Sequence, residues 1–579
     1  MSWKDRTIVA DVTEADWVSR FADEVIAEAE RRAPGKQIVC ASGSSPSGPI
    51  HLGNQREVMT PHLVADEIRR RGIDSVHIIS WDDYDRFRKV PAGIPESWAE
   101  HIGKPLSSVP APPGSSYANW AEHFKAPMIE SMGRLGIEFR GISQTEMYTS
   151  GAYTEQILLA MRERGQIDAI LDKYRTKGRS TKINAKLSED EAAAAAEAAE
   201  GSGAASDDDG SADGGYYPYK PYCSVCERDT TTVTAYDDDS TELSYTCACG
   251  HSETVILREH RSGKLVWKVD WPMRWAYEGV DFEPSGVDHS SPGSSFMVGG
   301  EIVGPIFGGV QPIGPMYAFV GIAGMAKMSS SRGGVPTATD ALEIMEPQLL
   351  RWLYARRRPN QSFQISFGQE NQKLYAEWDA LTARVAAGTA TPADANAFAR
   401  AAGTARGLLP VTPQPVPFGT LASIVDITTG EEQQTLRIVR DLDPSQTIAS
   451  LDELRPRLDC AQNWITTQVP ASERTQVRNE PNTELLNSLD AAQRESLSML
   501  LAGLDESWSL QGLTTLLYGV PKRQLGLPLD TKPTPELKVA QRNFFALLYA
   551  LLVGRDTGPR LPTLLLAVGA DRVRQLLAA

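Results

Sequence analysis

Three groups of residues in this 579-residue sequence have the types and spacing to do chemistry. His51 and Asn54 lie three apart in QIVCASGSSPSGPIHLGNQR, residues 37–56. At the first turn of a helix they share a face, so an imidazole and an amide could donate to one phosphate group. The second group is Lys327 with Ser329 and Ser331, in a serine- and glycine-rich stretch, GMAKMSSSRGG. Here an ammonium supplies a point charge and hydroxyls supply donors, again a composition for phosphate. The third is Cys223-x-x-Cys226 followed, twenty residues later, by Cys247-x-Cys249. Two thiolate pairs at that separation fit the two knuckles of a zinc ribbon, and a Cys₄ site leaves no coordination position open for catalysis. The second pair is tighter than the usual C-x-x-C, and His251 could replace one cysteine. A redox dithiol or an unliganded reduced cluster is the alternative.

The elements that must hold these groups follow from the surrounding pattern. Ile38-Val39-Cys40-Ala41 reads as a buried parallel strand. Gly43, Pro46, Gly48 and Pro49 then break regular structure. His51 to Asn54 open a helix whose apolar face is Val58, Met59, Leu63, Val64 and Ile68. Strand, glycine-rich loop and helix start together make an anion site, because free backbone N–H groups and the positive end of the helix dipole face the loop. The alternative is a βα corner whose glycines serve packing and whose His51 caps the helix. Residues 75–80 supply a second buried strand, ending in the acidic aromatic cluster Trp81-Asp82-Asp83-Tyr84-Asp85. That is where an open α/β sheet places its ligand crevice. Leu265 to Trp271 reads as a further strand, and a Gly/Pro-rich run follows through Pro315. From about Ala341 the pattern is helical almost to the end, including one long helix over Glu484–Leu504.

Composition sets the class. The apolar fraction is 41%, enough for several cores, and six cysteines in so long a chain do not make a disulfide scaffold. No apolar run approaches the ~20 residues that span a bilayer, and the N-terminus has no apolar signal core, which points to the cytoplasm. The net charge is −16, but nine of those charges sit between Leu187 and Asp213 with no Lys or Arg among them. That low-complexity segment cannot bury enough apolar surface to offset its ordering entropy, so it reads as a surface insertion. Basic clusters at Arg69–Arg71 and Arg356–Arg358 keep an RNA partner open despite the total charge.

Taken as a pair, the two phosphate loops resemble the HIGH and KMSKS signatures of class I aminoacyl-tRNA synthetases. Asn54 stands for the second His of HIGH, and Ser330 for the second Lys of KMSKS, which puts more weight on Lys327. The stretches SGSSPSGPIHLGNQREVMT, SWDDYDRFRKVP, WKVDWPMRW with DHSSPGSSF, and AKMSSSRG resemble most the class I lysyl-tRNA synthetases.

The resemblance implies an α/β fold, a Rossmann-like doubly wound parallel-sheet core with a zinc-binding insertion and an all-α anticodon-binding domain. It divides the chain into a first catalytic half (1–150), an insertion with the low-complexity loop and zinc ribbon (151–260), a second catalytic half (261–322), a small domain with the KMSKS-like loop (323–374) and a helical domain (375–579). It implies ATP with Mg²⁺, L-lysine and tRNA(Lys) as partners, zinc at Cys223, Cys226, Cys247 and Cys249, and no membrane. His51, Asn54 and Lys327 would be catalytic. Pro46, Gly48, Gly53, Ser329 and Ser331 would join them around ATP. Gly43 and Ser45 would touch lysine, with Trp267, His289 and Tyr317 lining its pocket. Asp82, Asp83, Asp85 and Asp270 are the carboxylates open to its ε-ammonium. A class I synthetase for glutamate or cysteine, or a non-catalytic tRNA-binding relative, is the competing reading.

Overall fold

The computed structural model describes residues 6–180, 211–212, 215–287, 289–290, 293–324, 334–405, 407–428, 430–442 and 448–578. At its centre three strands run parallel: β1 (Ile38–Ser44), β2 (Ser75–Trp81) and β3 (Arg140–Ser143), in the order β1-β2-β3. On the free side of β1, Cys40 bridges Phe282 and Phe282 bridges Ile313, both in parallel. The pairing continues at Ser285 with Met316 and Gly286 with Tyr317. In space the order is therefore β3, β2, β1, the 282–286 segment and the 313–317 segment. This is the doubly wound order, with its reversal beside β1.

The pattern of β1 shows why it is central. Ile38 and Cys40 face one core and Val39 and Ala41 the other, so both faces of a period-two strand are buried. On the first face lie α1 (Trp17–Arg32) and α2 (Gln55–Arg70), whose Val58, Met59, Leu63, Val64 and Ile68 are buried. On the other lie Trp271, Trp275, Phe296 and Val303. Trp120–Arg134 forms α3, the helix between β2 and β3.

Residues 266–271 do not continue as a strand. Strand pairing stops at Leu265, and a helix runs Trp267–Glu278 with Val266 as its extended N-cap. The apolar run cut by Pro272 imitates a strand, whereas Trp267, Trp271 and Trp275, four apart, show the helical stripe only across that proline. The Gly/Pro-rich run likewise hides a helix, Ser295–Phe307. Gly299 is required there by close approach, since a Cβ would stand 2.9 Å from the Trp275 ring. The long helix expected over Glu484–Leu504 is two, Thr483–Ser488 and Ala491–Gly503, because Asp490 and Gln493 form a capping box that starts the second.

The helical region docks on the sheet domain through Arg351, which is fully buried. Its guanidinium donates to the carbonyls of Leu135, Arg400 and Ala401 at 2.8, 2.9 and 3.1 Å. The insertion carries a three-stranded antiparallel ribbon, Thr231–Tyr236, Glu242–Cys247 and Ser252–Ile256. Most of the acidic low-complexity stretch lies outside the described residues. Among the described residues no helix is long and apolar enough to cross a membrane.

Candidate active site

Because the central strands are parallel, their C-terminal ends meet at one edge, and the chemically competent side chains gather there. β1 ends at Gly43-Ser44, β2 at Trp81 before Asp82, and the outer segments at Gly286 and Tyr317. The chain-order reversal beside β1 opens the crevice between Gly43 and the last two segments.

The loop after β1 is clamped from several sides. Trp120 Nε1 donates to Ser47 O at 3.1 Å and Tyr354 Oη to Leu52 O at 2.9 Å. Pro46 and Gly48 are buried in the turn, while Ser45, Gly53 and Asn54 are half-buried. Leu52 N donates to Pro336 O at 3.0 Å, and His51 bridges Thr337. The segment just after the Lys327 loop, Pro336-Thr337, thus lies against the His51 loop. Lys327, Ser329 and Ser331 themselves lie outside the described residues.

The expectation of free N–H groups at this helix start needs correction. Asn54, Gln55, Arg56 and Glu57 each donate to the carbonyl three residues earlier, at 2.9, 3.2, 3.4 and 3.1 Å. Gly53 N donates to His51 Nδ1 at 3.1 Å. The chain tightens into a 3₁₀-type turn that uses up its own amides, so a phosphate here would be met by side chains. The same bond leaves a neutral His51 with its hydrogen on Nε2, the donor form. The Asn54 amide makes no capping bond.

On the other side of Gly43 a chain of contacts joins the remaining candidates. Gly43 N donates to Glu57 Oε1 at 3.3 Å, and Tyr317 Oη donates to Glu57 Oε2 at 3.0 Å. A Cβ on Gly43 would stand 4.0 Å from Asp82 Oδ2. Asp82 Oδ1 accepts from Arg274 at 2.7 Å; burial nevertheless pushes this carboxyl up to about 6. The Arg274 guanidinium sits 5.6 Å from the Trp267 ring. Trp267 stacks on Trp271 at 5.1 Å, and His289 lies against both rings at 6.5 and 5.7 Å. Gly43, Tyr317, Trp267 and His289 are thereby linked by one continuous chain of contacts, with Ser45 two residues beyond Gly43.

All four candidate carboxylates are paired: Asp82 with Arg274, as above, and the other three as follows. Asp83 accepts from Lys125, Ser143 and the Thr145 amide at 3.3, 2.8 and 2.8 Å. Asp85 pairs with Lys264, which, against the cost of burial, holds it below the ordinary carboxylate range. Asp270 is fully buried between Tyr148, Arg274 and Lys264. Glu57 was missed by sequence reasoning. Its signal was available only in part: it is the acidic residue in the first turn of α2, three residues after Asn54.

The cysteine cluster is compact. All six cysteines are free thiols, and the sulfurs of Cys223, Cys226, Cys247 and Cys249 lie within 4.8 Å of one another. A tetrahedral ion bonded at about 2.3 Å requires sulfur–sulfur edges of about 3.8 Å. Cys223 and Cys249 are 3.7 Å apart, and Cys226 and Cys247 are 3.6 Å apart. The C-x-C spacing therefore still closes an S₄ set. His251 stays outside it, turned to Ser224 and Glu253.

Comparison with known proteins places this geometry. The family of class I tRNA synthetases (K) matches residues 15–405. The lysine–tRNA ligase of Streptomyces coelicolor is 71% identical, over 98% of this chain and 99% of its own length. Those of Pyrococcus horikoshii and Treponema pallidum are 32% and 31% identical, over 95% and 97% of this chain and 96% and 98% of theirs. With the strand order and the crevice described above, the chain belongs to the class I tRNA synthetases of the lysine type.

Proposed function

We infer that the chain is a lysine–tRNA ligase that activates L-lysine with ATP and passes the lysyl group to the 3′ end of tRNA(Lys) in the cytoplasm. Lysine's own carboxylate oxygen attacks the α-phosphorus of ATP, forming lysyl-adenylate and releasing pyrophosphate. A hydroxyl of the terminal adenosine of tRNA then attacks the lysyl carbonyl and AMP leaves. The protein need supply no nucleophile, so its task is positioning and charge stabilisation. His51, donating from Nε2, and Asn54 meet the phosphates from the start of α2, where Pro46, Gly48 and Gly53 shape the turn. Lys327, Ser329 and Ser331 hold the leaving pyrophosphate, where Mg²⁺ bound with ATP would supply further positive charge. The helices beyond residue 375 reach the anticodon.

One observation carries the choice of amino acid. Glu57 presents a half-buried carboxylate between Gly43 and Tyr317, with the Asp82 carboxylate beside Gly43. An ε-ammonium would meet opposite charge there and can donate to Glu57. A glutamate side chain would meet like charge, and a cysteine side chain has no group that pairs with a carboxylate. ATP–pyrophosphate exchange with tRNA present, run with lysine, glutamate and cysteine, tests the reading. Exchange with lysine alone supports it, exchange with glutamate or cysteine overturns the specificity, and silence with all three indicates a non-catalytic relative.

Gly43→Ala gives a local check. Its Cβ would enter the space between Glu57 and Asp82 without striking the protein, since the nearest atoms are 3.9 and 4.0 Å away. Thermal unfolding should shift little, while KM for lysine should rise about tenfold, as for one methyl group placed in a site built around its ligand. An unchanged KM would mean that lysine does not lie against Gly43.

The four cysteines would hold one Zn²⁺, which supplies a crosslink for an insertion too small to organise itself by core burial alone. Native mass spectrometry should find about one zinc per chain, and Cys226→Ser should lower it sharply. The knuckle docks on the loop after β2 through Asp229–Arg86 at 3.2 Å and Glu227–Lys104 at 2.8 Å. Loss of metal should therefore disturb stability and tRNA handling more than ATP binding. Zinc content unaffected by replacing Cys247 and Cys249 together would reject the assignment.

A further inference from the structure

Glu283 is a buried carboxylate that none of the steps above uses. It lies on the 282–286 segment, 6% exposed, with Oε1 accepting from Trp271 Nε1 at 3.1 Å and Oε2 from Trp275 Nε1 at 2.6 Å. Burial pushes its carboxyl up to about 7 even though both indoles favour the charged form. A carboxylate in this position is costly, and for packing alone an apolar side chain of similar volume would serve better. Its two oxygens do something an apolar group cannot: they pin two tryptophans four residues apart on one helix.

Those tryptophans lead directly to the amino-acid pocket. The Trp271 ring is stacked on Trp267 and stands edge-on to His289, with centroids 5.1 and 5.7 Å away. Trp275 is wedged against Phe296 and against Gly299, where there is no room for a Cβ. Trp275 is thus held by packing as well as by its hydrogen bond. Trp271 borders the crevice through Trp267 and His289, and its N–H bond to Glu283 fixes the rotation of its indole about the helix.

We propose that Glu283 is a positioning residue for the amino-acid site, setting the angle of Trp271 and through it the placement of Trp267 and His289. This rests on the reading of Trp267 and His289 as walls of the lysine pocket. In Glu283→Gln one oxygen becomes an NH₂ group, so a donor faces a donor at one of the two indoles. Phe296 meets both rings, but only Trp275 is wedged against Gly299, and it is the more buried of the two, so Trp271 is the ring that yields.

The test is ATP–pyrophosphate exchange with tRNA present, with KM determined separately for lysine and ATP. Glu283→Gln is expected to raise KM for lysine about tenfold, the worth of one hydrogen bond to a charged group, and to leave KM for ATP within about threefold. The double variant Glu283→Gln/Trp275→Phe removes the competing indole donor, so the remaining carbonyl can serve Trp271. It is expected to recover most of the lysine KM, and it carries the test if the single variant folds poorly. His289→Ala separates the two layers of the argument. If His289→Ala raises KM for lysine and Glu283→Gln leaves it within twofold, the positioning role is wrong and the pocket stands. If neither variant moves it, the pocket reading itself is wrong, and this proposal falls with it. Equal increases in both KM values, with no recovery in the double variant, would reduce Glu283 to a structural group and overturn the proposal.

Discussion

Glu57→Gln is expected to lower kcat/KM for lysine by about 10²–10³, the scale of breaking a buried charge pair by neutralising one partner. The substitution keeps the shape and one acceptor oxygen, so it separates charge from packing. Glu57 joins the Gly43 amide to the Tyr317 hydroxyl, at 3.3 and 3.0 Å, and these links define one wall of the crevice beside β1. An amide there can still accept one of the two bonds, and the fold should survive. What it cannot do is balance an ammonium that has left water. KM for ATP should stay within about threefold, because the phosphates are met on the side of His51 and Asn54. A comparable loss on replacing Asp82, with little on replacing Glu57, would move the ammonium site across Gly43 to the carboxylate paired with Arg274.

Lys327→Ala should slow adenylate formation by about 10²–10³, the size seen when one donor to a developing oxyanion is deleted. What is lost is charge. Within Gly324–Ser331, Lys327 carries the only cationic side chain, and Ser330 stands where the signature has a second lysine. The structure adds that the segment following this loop is anchored at the His51 turn, through Leu52 N to Pro336 O and the His51–Thr337 bridge. A loop tied there can bring its lysine to the same triphosphate. The loss should appear in single-turnover adenylate formation and much less in lysine binding. A variant within a few-fold of wild type would remove the loop from the chemistry.

How much of the site was legible depended on how local its signals were. The first strand, its glycine-rich turn and the apolar face of α2 were readable because each has a strong period within a dozen residues. The second strand and the acidic cluster at its end were readable for the same reason. The helices Trp267–Glu278 and Ser295–Phe307 were not. Pro272 and a run of glycines disguise them, and only their packing shows that the glycines admit the Trp275 ring. The supply of amides at the start of α2 was misjudged because a strand–loop–helix motif does not reveal whether its first turn closes on itself.

The sequence by itself determined the chemical inventory: two phosphate loops, a tetrathiolate set, an acidic strand end and a resemblance that names the reaction. Those are properties of residue type and spacing, and they survive without coordinates. Tertiary structure alone decided what each carboxylate is paired with. Asp82, Asp83 and Asp85 look equally available in the sequence, yet each is paired with Arg274, Lys125 or Lys264 arriving from 192, 42 or 179 residues away. Glu57 gains its place because Tyr317, 260 residues distant, closes over it. A charge's role inside a protein is set by what neutralises it, and neutralising partners are brought together by the fold across separations that local periodicity does not encode.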